Sequence, residues 1–522
     1  MNRREFLSTT GAALAGAALA PPRGATAKEG QSAMPASGTR PNIVYICSDQ
    51  HSFRYTGYAG HPLVKTPNMD RIAARGTVFA NTYCGNPVCT PGRACLMTGM
   101  YPSDVGSYCN STAWDGSHPT WGTRLTESGY TCHATGKFDL NLDFERGFIE
   151  KDVRNGHCRN PDITSLFRNP LCYRFNERDN VNGRPRNKRH GDSARTQNCL
   201  DFMQNDRTGI DGPWLYYLGL SQPHPKFNAL RQYWDMYPLE DIDLPDIRED
   251  DLENLHLVFQ GIRSFKRIAT HIPEDRVRKA RAGYYGMITE LDEYIGQVWD
   301  ALEAAGELDN TVFIYTSDHG EALGEHGLWL KNNLYENAAH VPLVMSGPGI
   351  PVGKVIETPV AHVDLATTLL DWAGAEGVSD LRGHSMLSLL DDEPGDHPGW
   401  TYTESHSEGN CTGSFAIRKG DWKYIHFQWY HGLLYNLKED PGEFVNRIDD
   451  PTCAEVLTDL KAILDSQVDT EQVTRDAFEK QDGVVRGLAE GKTEEEFATL
   501  LQGRLGEGQA RALASKYVGG IG

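Results

Sequence analysis

The chain has 522 residues, of which 39% are hydrophobic, 10% aromatic and 23% charged. This length holds one large domain with a smaller one, or two or three domains of ordinary size, and no apolar run beyond the N-terminus is long enough to span a bilayer. The formal net charge of −20 argues against nucleic-acid binding, which usually needs a basic surface, but a few local cations suffice to bind a small anion.

The first 27 residues have the form of a twin-arginine export signal. Arg3 and Arg4 precede a weakly apolar run, and residues 25–27 form a small-x-small cleavage site. We therefore expect the twin-arginine export machinery as a partner, and a location in the periplasm or outside the cell. An incidental basic N-terminus is the alternative. Residues 28–40, rich in Gly, Ser and Ala, are expected to be a flexible lead-in.

Three apolar runs, residues 43–46, 214–218 and 312–315, predict buried parallel strands. Each run is followed by polar side chains, namely Asp49, Gln50 and His51, then Gln222 and His224, then Asp318 and His319. Because ligands bind beyond the carboxyl ends of the strands in an open α/β sheet, we expect these side chains to meet at one edge. The alternative is that each is an ordinary polar loop.

Two helices are predicted around these strands. Residues 67–76 indicate a short helix that ends at a glycine. A second helix is indicated by one apolar face, formed by Met287, Leu291, Ile295, Val298 and Leu302. The second helix leads directly into the strand at residues 312–315, as a βαβ crossover does.

Residues 143–211 are expected to be a long irregular segment with an excess of basic side chains, namely Arg174, Arg178, Arg184, Arg186, Lys188, Arg189 and His190. A solvated loop is one interpretation, and a wall that attracts a polyanionic substrate is the other. The eleven cysteines of the chain permit disulfides in an oxidising compartment, but their pairing cannot be deduced from the sequence.

The sequence pattern changes at about residue 391. Short runs typical of β-strands, such as residues 415–418 and 422–425, follow this point. Residues from 454 onward are polar and helix-prone. We therefore predict an α/β fold with a large mixed or parallel sheet flanked by helices in residues 41–390. Residues 391–522 are expected to form a smaller antiparallel subdomain with a helical tail.

The run Cys89-Thr-Pro-Gly-Arg93 is expected to enter a helix. Pro91 suits the first helical turn, where its missing N–H costs nothing. Cys89 would then lie at the helix N-terminus, where free N–H groups favour an anion or a thiolate, and Arg93 can turn back toward it. A cysteine-dependent phosphatase needs five residues between Cys and Arg, so the three present here disfavour that mechanism.

With this run the chain resembles the type I sulfatases of the alkaline phosphatase superfamily, whose signature is Cys-x-Pro-x-Arg followed by Thr-Gly. The fourth signature position, commonly Ser, is Gly92 here. The resemblance spans residues 41–446 and includes, in order, residues 41–43 before Asp49 and Gln50, Gly136-Lys137, residues 223–225, residues 316–321, residues 324–331 and residues 440–444.

The resemblance implies an alkaline phosphatase-like fold and a modified residue 89. In this family a separate maturation enzyme oxidises the cysteine to Cα-formylglycine. The metal ligands implied are Asp49, Gln50, Asp318 and His319 together with residue 89. Carboxylate and amide oxygens suit calcium or magnesium. His319 stands where many members have Asn, and imidazole is a softer ligand, so manganese is an alternative to the calcium expected from the family.

The resemblance also implies roles in sulfate ester hydrolysis. The hydrated aldehyde at residue 89 attacks sulfur, and its second hydroxyl later expels sulfate. Lys137, Lys331 and the metal neutralise the sulfate oxygens, while His224 is the candidate acid for the departing alcohol. Arg93 is expected to hold the formylglycine in place.

Asp139 is a departure from the family pattern. Many members continue Gly-Lys with Trp-His, whereas this chain has Gly136-Lys137-Phe138-Asp139. Asp139 is either the base that collapses the diol or a structural substitute. Together with residues 108–115, this form is similar to members that act on sulfated uronic acids or related sugars, which favours a sulfated small molecule or oligosaccharide as substrate.

Two other functions fit the same residues. A phosphonate monoester or phosphodiester hydrolase of the same superfamily is one, because a sulfate ester and a phosphate diester each carry a single negative charge. The other is an unconverted relative that binds sulfated glycans without hydrolysing them, although the full set of ligands and lysines argues against it.

Overall fold

The computed structural model describes residues 40–519 except 142, 155, 157–161, 169–170, 175–176, 248–250, 376–378 and 392–394. The export signal predicted for residues 1–27 and the lead-in as far as residue 39 lie outside the described residues. No described helix has the length and apolar character needed to cross a membrane.

The strands are β1 (Asn42–Asp49), β2 (Thr77–Phe79), β3 (Thr82–Tyr83), β4 (Thr131–Lys137), β5 (Ile149–Arg154), β6 (Trp214–Pro223), β7 (Thr311–Ser317), β8 (His340–Val341), β9 (Leu343–Ser346), β10 (Lys354–Ile356), β11 (Val360–Ala361), β12 (Trp400–Ser405), β13 (Ser414–Lys419), β14 (Trp422–Phe427) and β15 (Leu433–Asn436). The helices are α1 (Pro67–Ala74), α2 (Cys89–Thr98), α3 (Trp121–Glu127), α4 (Glu177–Asn180), α5 (Asp192–Gln204), α6 (Arg231–Trp234), α7 (Asp251–Asn254), α8 (Leu257–Phe265), α9 (Glu274–Ala304), α10 (Glu336–Ala339), α11 (His362–Ala373), α12 (Leu387–Asp391), α13 (Ala454–Gln467), α14 (Thr470–Ala489), α15 (Glu494–Gln502) and α16 (Glu507–Tyr517).

The main sheet has eight strands in the order β10-β2-β9-β7-β1-β6-β4-β5. At its centre β1 pairs in parallel with both β6 and β7, and β4 and β5 continue the parallel half. Strand β9 runs antiparallel to β7 and β2, so the sheet is mixed. The predicted fold class, with its three parallel strands, is confirmed.

Both faces of the main sheet are covered, which is why its central strands are continuous apolar runs. Side chains of β1 alternate between two cores. Ile43 and Tyr45 pack in the core that includes α2, α3 and α11, and Val44 and Ile46 pack in the core that includes α1, α5 and α9. The carboxyl ends of β1, β6 and β7 therefore open at one edge between two rigid helical layers.

The predicted helices are confirmed with one change at an end. All five residues of the predicted apolar face are buried in α9. Helix α1 ends at Ala74 with Arg75 as its cap, not at Gly76. A Cβ at Gly76 would lie 2.0 Å from the carbonyl oxygen of Met345, so the glycine serves a close approach to β9 and not the helix end.

The prediction that residues 143–211 are irregular is wrong, because the segment contains β5, the short helix α4 and α5. Strand β5 pairs with β4 at the edge of the main sheet, and α5 packs on the sheet through Cys199 and Phe202. The side chains of β5 are mostly exposed and charged, as is common in edge strands, and this removes the apolar pattern that would have identified it.

The C-terminal part contains the four-stranded antiparallel sheet β12-β13-β14-β15, as predicted, and four helices follow it. Helix α13 packs on this sheet. No disulfide joins any two of the cysteines in the described part of the chain.

Candidate active site

Four side chains from three segments converge at the carboxyl edge of the main sheet. Asp49 ends β1, Asp318 and His319 follow β7, and Cys89 begins α2. One ligand atom from each lies within 4.8 Å of those of the other three, and all four residues are buried. The predicted meeting of the ends of β1 and β7 is therefore present in the fold, and the start of α2 joins them.

Cys89 lies at the first position of α2, with Val88 as N-cap and Pro91 in the first turn, as predicted. Its Sγ is 2.7 Å from Lys331 Nζ and 3.4 Å from His319 Nε2. Burial lowers the pKa of the Lys331 ammonium, but the Cys89 sulfur and the Asp49 carboxylate outweigh burial and hold that pKa above its usual value. A cation thus faces the side chain of residue 89.

A second cation lies on the other side of Asp49. Lys137, at the end of β4, forms an ion pair with the Asp49 carboxylate, and its Nζ is 3.2 Å from Asp139 Oδ2. Burial and Cys89 raise the pKa of Asp49, but Lys137, His224 and Lys331 outweigh them, so the pKa of Asp49 lies well below its usual range. Asp49 is therefore an ionised carboxylate within a buried site.

Arg93 extends from α2 toward Asp318. Its Nε is 2.9 Å from Asp318 Oδ2, and its Nη1 donates to the carbonyl oxygen of Lys137 at 2.9 Å and to the Tyr217 hydroxyl at 3.0 Å. The sequence predicted that Arg93 holds residue 89, and that role stays a prediction. The contacts above give Arg93 a further task, which is to orient a carboxylate of the site and the end of β4.

The donor set fits a divalent metal. Gln50 Nε2 donates to Glu321, while Gln50 Oε1 is buried with no hydrogen-bond partner among the described residues. The Nδ1–H of His319 donates to the carbonyl oxygen of Gly320 at 3.0 Å, which leaves Nε2 as a lone-pair donor facing Cys89. Two buried carboxylates, an amide oxygen and an imidazole suit calcium, magnesium or manganese, and the fit does not select among them.

His224, after β6, lies at the wall of a cavity of about 430 Å³ that opens over the site. Its Nδ1 donates to the carbonyl oxygen of Pro225 at 2.8 Å, which fixes the ring. The cavity is lined by Gln50, Asn110, Asp162, Arg174, Glu177, Asp179, Asn180, His224, Pro225, Lys226, Leu330, Lys331, Glu408, Gly503 and Arg504. His224 and Lys331 thus share one cavity, as their predicted roles require.

Asp139 is buried beside Lys137 and has a positive φ of 50°. Its Oδ1 accepts a hydrogen bond from the Gly156 N–H at 2.9 Å. These contacts fit a residue that holds Lys137, and its proposed service as a base stays a prediction.

Sequence reasoning missed a hydrogen-bonded chain that reaches Cys89 from the C-terminal part. Glu408, in the loop after β12, accepts from Asn110 Nδ2 at 3.0 Å and from Asn332 Nδ2 at 2.7 Å. Asn110 Oδ1 in turn accepts from the N–H of Thr90 at 3.1 Å. Glu408 lies in an irregular loop without a recognisable motif, so no sequence signal pointed to it.

The basic residues of the segment 143–211 do not form a free basic wall. Arg174 lines the cavity, but its guanidinium contacts the carboxylates of Asp162, Glu177 and Glu408. Elsewhere in the segment, Arg186 pairs with Glu290. Internal ion pairs therefore account for much of this charge.

The sequence of the chain matches known protein families and relatives. The chain matches the family model described as Sulfatase over residues 41–375, and the model described as N-sulphoglucosamine sulphohydrolase, C-terminal, over residues 324–470. Arylsulfatase K of Danio rerio is 30% identical over 473 residues, which cover 84% of this chain and 86% of that protein. Choline-sulfatase of Rhizobium meliloti (strain 1021) is 29% identical over 431 residues, covering 79% and 83%.

Solved structures share the fold. The phosphonate monoester hydrolase of Agrobacterium radiobacter superposes with a TM-score of 0.68 at 23% identity, covering 82% of this chain and 95% of that one. A 2-O GAG sulfatase superposes with a TM-score of 0.66 at 26% identity, covering 84% and 92%.

Proposed function

Since the chain belongs to the sulfatase family of the alkaline phosphatase superfamily and is a sulfuric ester hydrolase, we propose that it hydrolyses a sulfated carbohydrate through a formylglycine made from Cys89. The observation that carries this proposal is the convergence of Cys89 with Asp49, Asp318 and His319, between the ammonium groups of Lys137 and Lys331. This is an anion site built around one nucleophilic position.

The metal would be held by Asp49, Gln50, Asp318 and His319 with residue 89, and calcium is our first choice. When bound, such a cation supplies positive charge to the sulfate and lowers the pKa of a hydroxyl at residue 89. Arg93 keeps Asp318 oriented for this task through the 2.9 Å ion pair.

The protein side chains bind the sulfate and move the proton of the leaving group. Lys331, 2.7 Å from the sulfur of residue 89, is placed to bind sulfate oxygens beside the nucleophile, with Lys137 on the far side of Asp49. Fixed cations in a buried site stabilise the charge of the transition state without reorganising. His224 protonates the departing sugar alcohol.

A carbohydrate substrate is supported by the cavity and by a relative. The cavity volume of about 430 Å³ falls in the range of small-ligand sites, and its lining is polar enough to bind hydroxyl groups. The solved relative at 26% identity is a 2-O GAG sulfatase. We also propose that a maturation enzyme converts Cys89 and that the twin-arginine signal directs export to the periplasm or beyond.

The test combines mass analysis with turnover. The protein is expressed with a formylglycine-generating enzyme, and the peptide that contains residue 89 is weighed. We expect the aldehyde, turnover of sulfated saccharides, and loss of at least a thousandfold in kcat for Cys89→Ala. An intact thiol in fully active protein would overturn the formylglycine assignment, and faster turnover of phosphonate or phosphodiester substrates would overturn the preference for sulfate.

A further inference from the structure

The C-terminal helices α14, α15 and α16 reach the active-site cavity through the turn at Gly503 and Arg504. They lie almost entirely beyond residue 470, where the second family match ends. Their buried apolar residues, including Phe497, Leu501 and Leu513, pack against Ile163 and Phe167. These helices, here called the C-terminal extension, are therefore anchored on the segment that bounds the cavity.

Polar contacts fix the C-terminal extension in the same place. Gln481 of α14 accepts from Arg168 Nε at 2.8 Å and donates to the carbonyl oxygen of His406 at 2.9 Å. Gln481 is buried, so these bonds are shielded from water and define one position of the helix.

The turn between α15 and α16 reaches the cavity. Gly503 and Arg504 line it together with His224 and Lys331. The Arg504 side chain is 53% exposed, and the one carboxylate that it pairs with in the described part of the chain is Asp162, at 3.5 Å. Asp162 is buried and also contacts Arg174, so its carboxylate keeps a cation when Arg504 leaves this 3.5 Å contact for a ligand.

The charged groups of the cavity divide into largely buried groups and exposed ones. The carboxylates of Asp162, Glu177 and Glu408 all contact Arg174. Lys226 is exposed and has no ion pair among the described residues, and the same holds for Asp179. Of the charged residues that line the cavity, Arg504, Lys226 and Asp179 are the exposed ones, so two cations and one carboxylate are accessible to a ligand.

We propose that Arg504 and Lys226 bind a second anionic group on the substrate, a carboxylate or a further sulfate on the sugar beside the sulfate that is cleaved. A guanidinium offers paired N–H donors that match either oxyanion. This rests on the proposed function and adds that the substrate is polyanionic and that the C-terminal extension sets this preference.

The test compares Arg504→Gln with Arg511→Gln, a control on α16 whose exposed side chain pairs with Glu507 and does not line the cavity. Substrates are an aryl sulfate, a neutral sulfated sugar, a sulfated sugar acid and a disulfated sugar. For Arg504→Gln we expect kcat/KM to fall about 10- to 100-fold on the acidic substrate that is recognised, and to stay within about twofold on the aryl sulfate. Lys226→Gln should lower the same value by a smaller factor, and Arg511→Gln should change none.

The two acidic substrates distinguish a carboxylate from a second sulfate. As a further readout, an unsulfated sugar acid should inhibit aryl sulfate turnover, with an inhibition constant that rises in Arg504→Gln. Equal losses on every substrate, or none, would overturn the proposal. Preferred turnover of choline sulfate would also overturn it, because Asp179 and not Arg504 would then face the substrate. Equal or absent losses leave the proposed function standing if sulfated sugars are still hydrolysed through formylglycine, whereas a preference for choline sulfate would overturn the carbohydrate substrate as well.

Discussion

Around Cys89, each buried carboxylate contacts one cationic side chain. The carboxylates of Asp49 and Asp318 lie in a site closed to water, each in contact with a cation, Lys137 or Arg93. Because burying an unpaired charge is costly, these cations offset part of the cost of burying the two carboxylates. The pKa of Asp49 is lowered, whereas burial outweighs Arg93 and raises the pKa of Asp318. The remaining cation, Lys331, faces residue 89 itself.

His224→Ala tests the assignment of the leaving-group acid. General acid catalysis contributes about 100- to 10,000-fold, so kcat should fall by roughly that factor on sugar sulfates, whose alcohols leave poorly. Activated phenyl sulfates, which need no proton, should lose less than about tenfold. The measurement is kcat for a series of aryl sulfates of increasing phenol pKa. A loss that is uniform across the series would remove His224 from this role.

The convergence of Asp49, Asp318 and His319 was the most predictable part of the site. These residues lie at the carboxyl ends of apolar strands, and the sheet rule places them at one edge. The partner of Arg93 was not predictable, because it depends on the distance between α2 and the end of β7, which local sequence does not encode. The other partners of Arg93, the Tyr217 hydroxyl and the carbonyl oxygen of Lys137, could not be predicted for the same reason.

At the scale of elements, the loop after β12 links the C-terminal sheet to the start of α2. Glu408 is buried there with a positive φ of 52°. Through Asn110 it fixes the N–H of Thr90, the residue after Cys89. A loop of the C-terminal sheet thereby positions the N-terminus of α2, which carries the proposed nucleophile.

Glu408→Gln should reveal this link. Glutamine keeps the size of the side chain but weakens its charge-assisted bonds to Asn110, Asn332 and Arg174, so we expect kcat to fall about tenfold or more, with a smaller change in KM. The measurement is steady-state kinetics normalised to the fraction of formylglycine. Asp179→Asn is the control, since Asp179 lines the same cavity outside this hydrogen-bonded chain. Similar kcat values for the two variants would refute the link.

Elements with strong periodicity were predictable, and edge elements were not. The apolar face of α9 and the central strands are buried, and burial dictates their pattern. Strand β5 has charged, exposed side chains and gave no such pattern. The end of α1 was misjudged because Gly76 is required by its contact with β9 and not by the helix.

For the whole molecule, a buried ionic network joins the C-terminal sheet to the main domain. Lys423 of β14 lies 2.8 Å from Glu336 of α10 and 3.0 Å from Glu443. Burial raises the pKa of Glu443 to about 7, with Lys423 opposing and Glu336 adding to the shift. One ammonium therefore holds two carboxylates that would otherwise repel each other.

Lys423→Met should destabilise the protein by about 3–5 kcal/mol at pH 7, because it leaves the buried carboxyl group of Glu443 without a cation. Unpaired buried carboxyls have pKa values above those in the unfolded chain, so the native state binds more protons, and stability is regained as the pH falls toward about 4.5. Thermal melting of both proteins from pH 4.5 to 8 measures the effect. The exposed pair of Lys419 and Asp459 provides the control variant, Lys419→Met. A Tm difference that does not shrink at low pH would contradict this account.

The burial of residues 89–93 also limits when residue 89 can be modified. Every residue of this run is buried in the folded chain, so a maturation enzyme has no access to it after folding. Incubating that enzyme with folded and with urea-unfolded thiol protein, followed by mass analysis, should show conversion only of the unfolded chain. On the proposed route of twin-arginine export, which carries folded proteins, the aldehyde would be made in the cytoplasm between synthesis and folding. A chain that folds first would then keep its thiol, and the rate of folding would limit the fraction of molecules that carry the aldehyde.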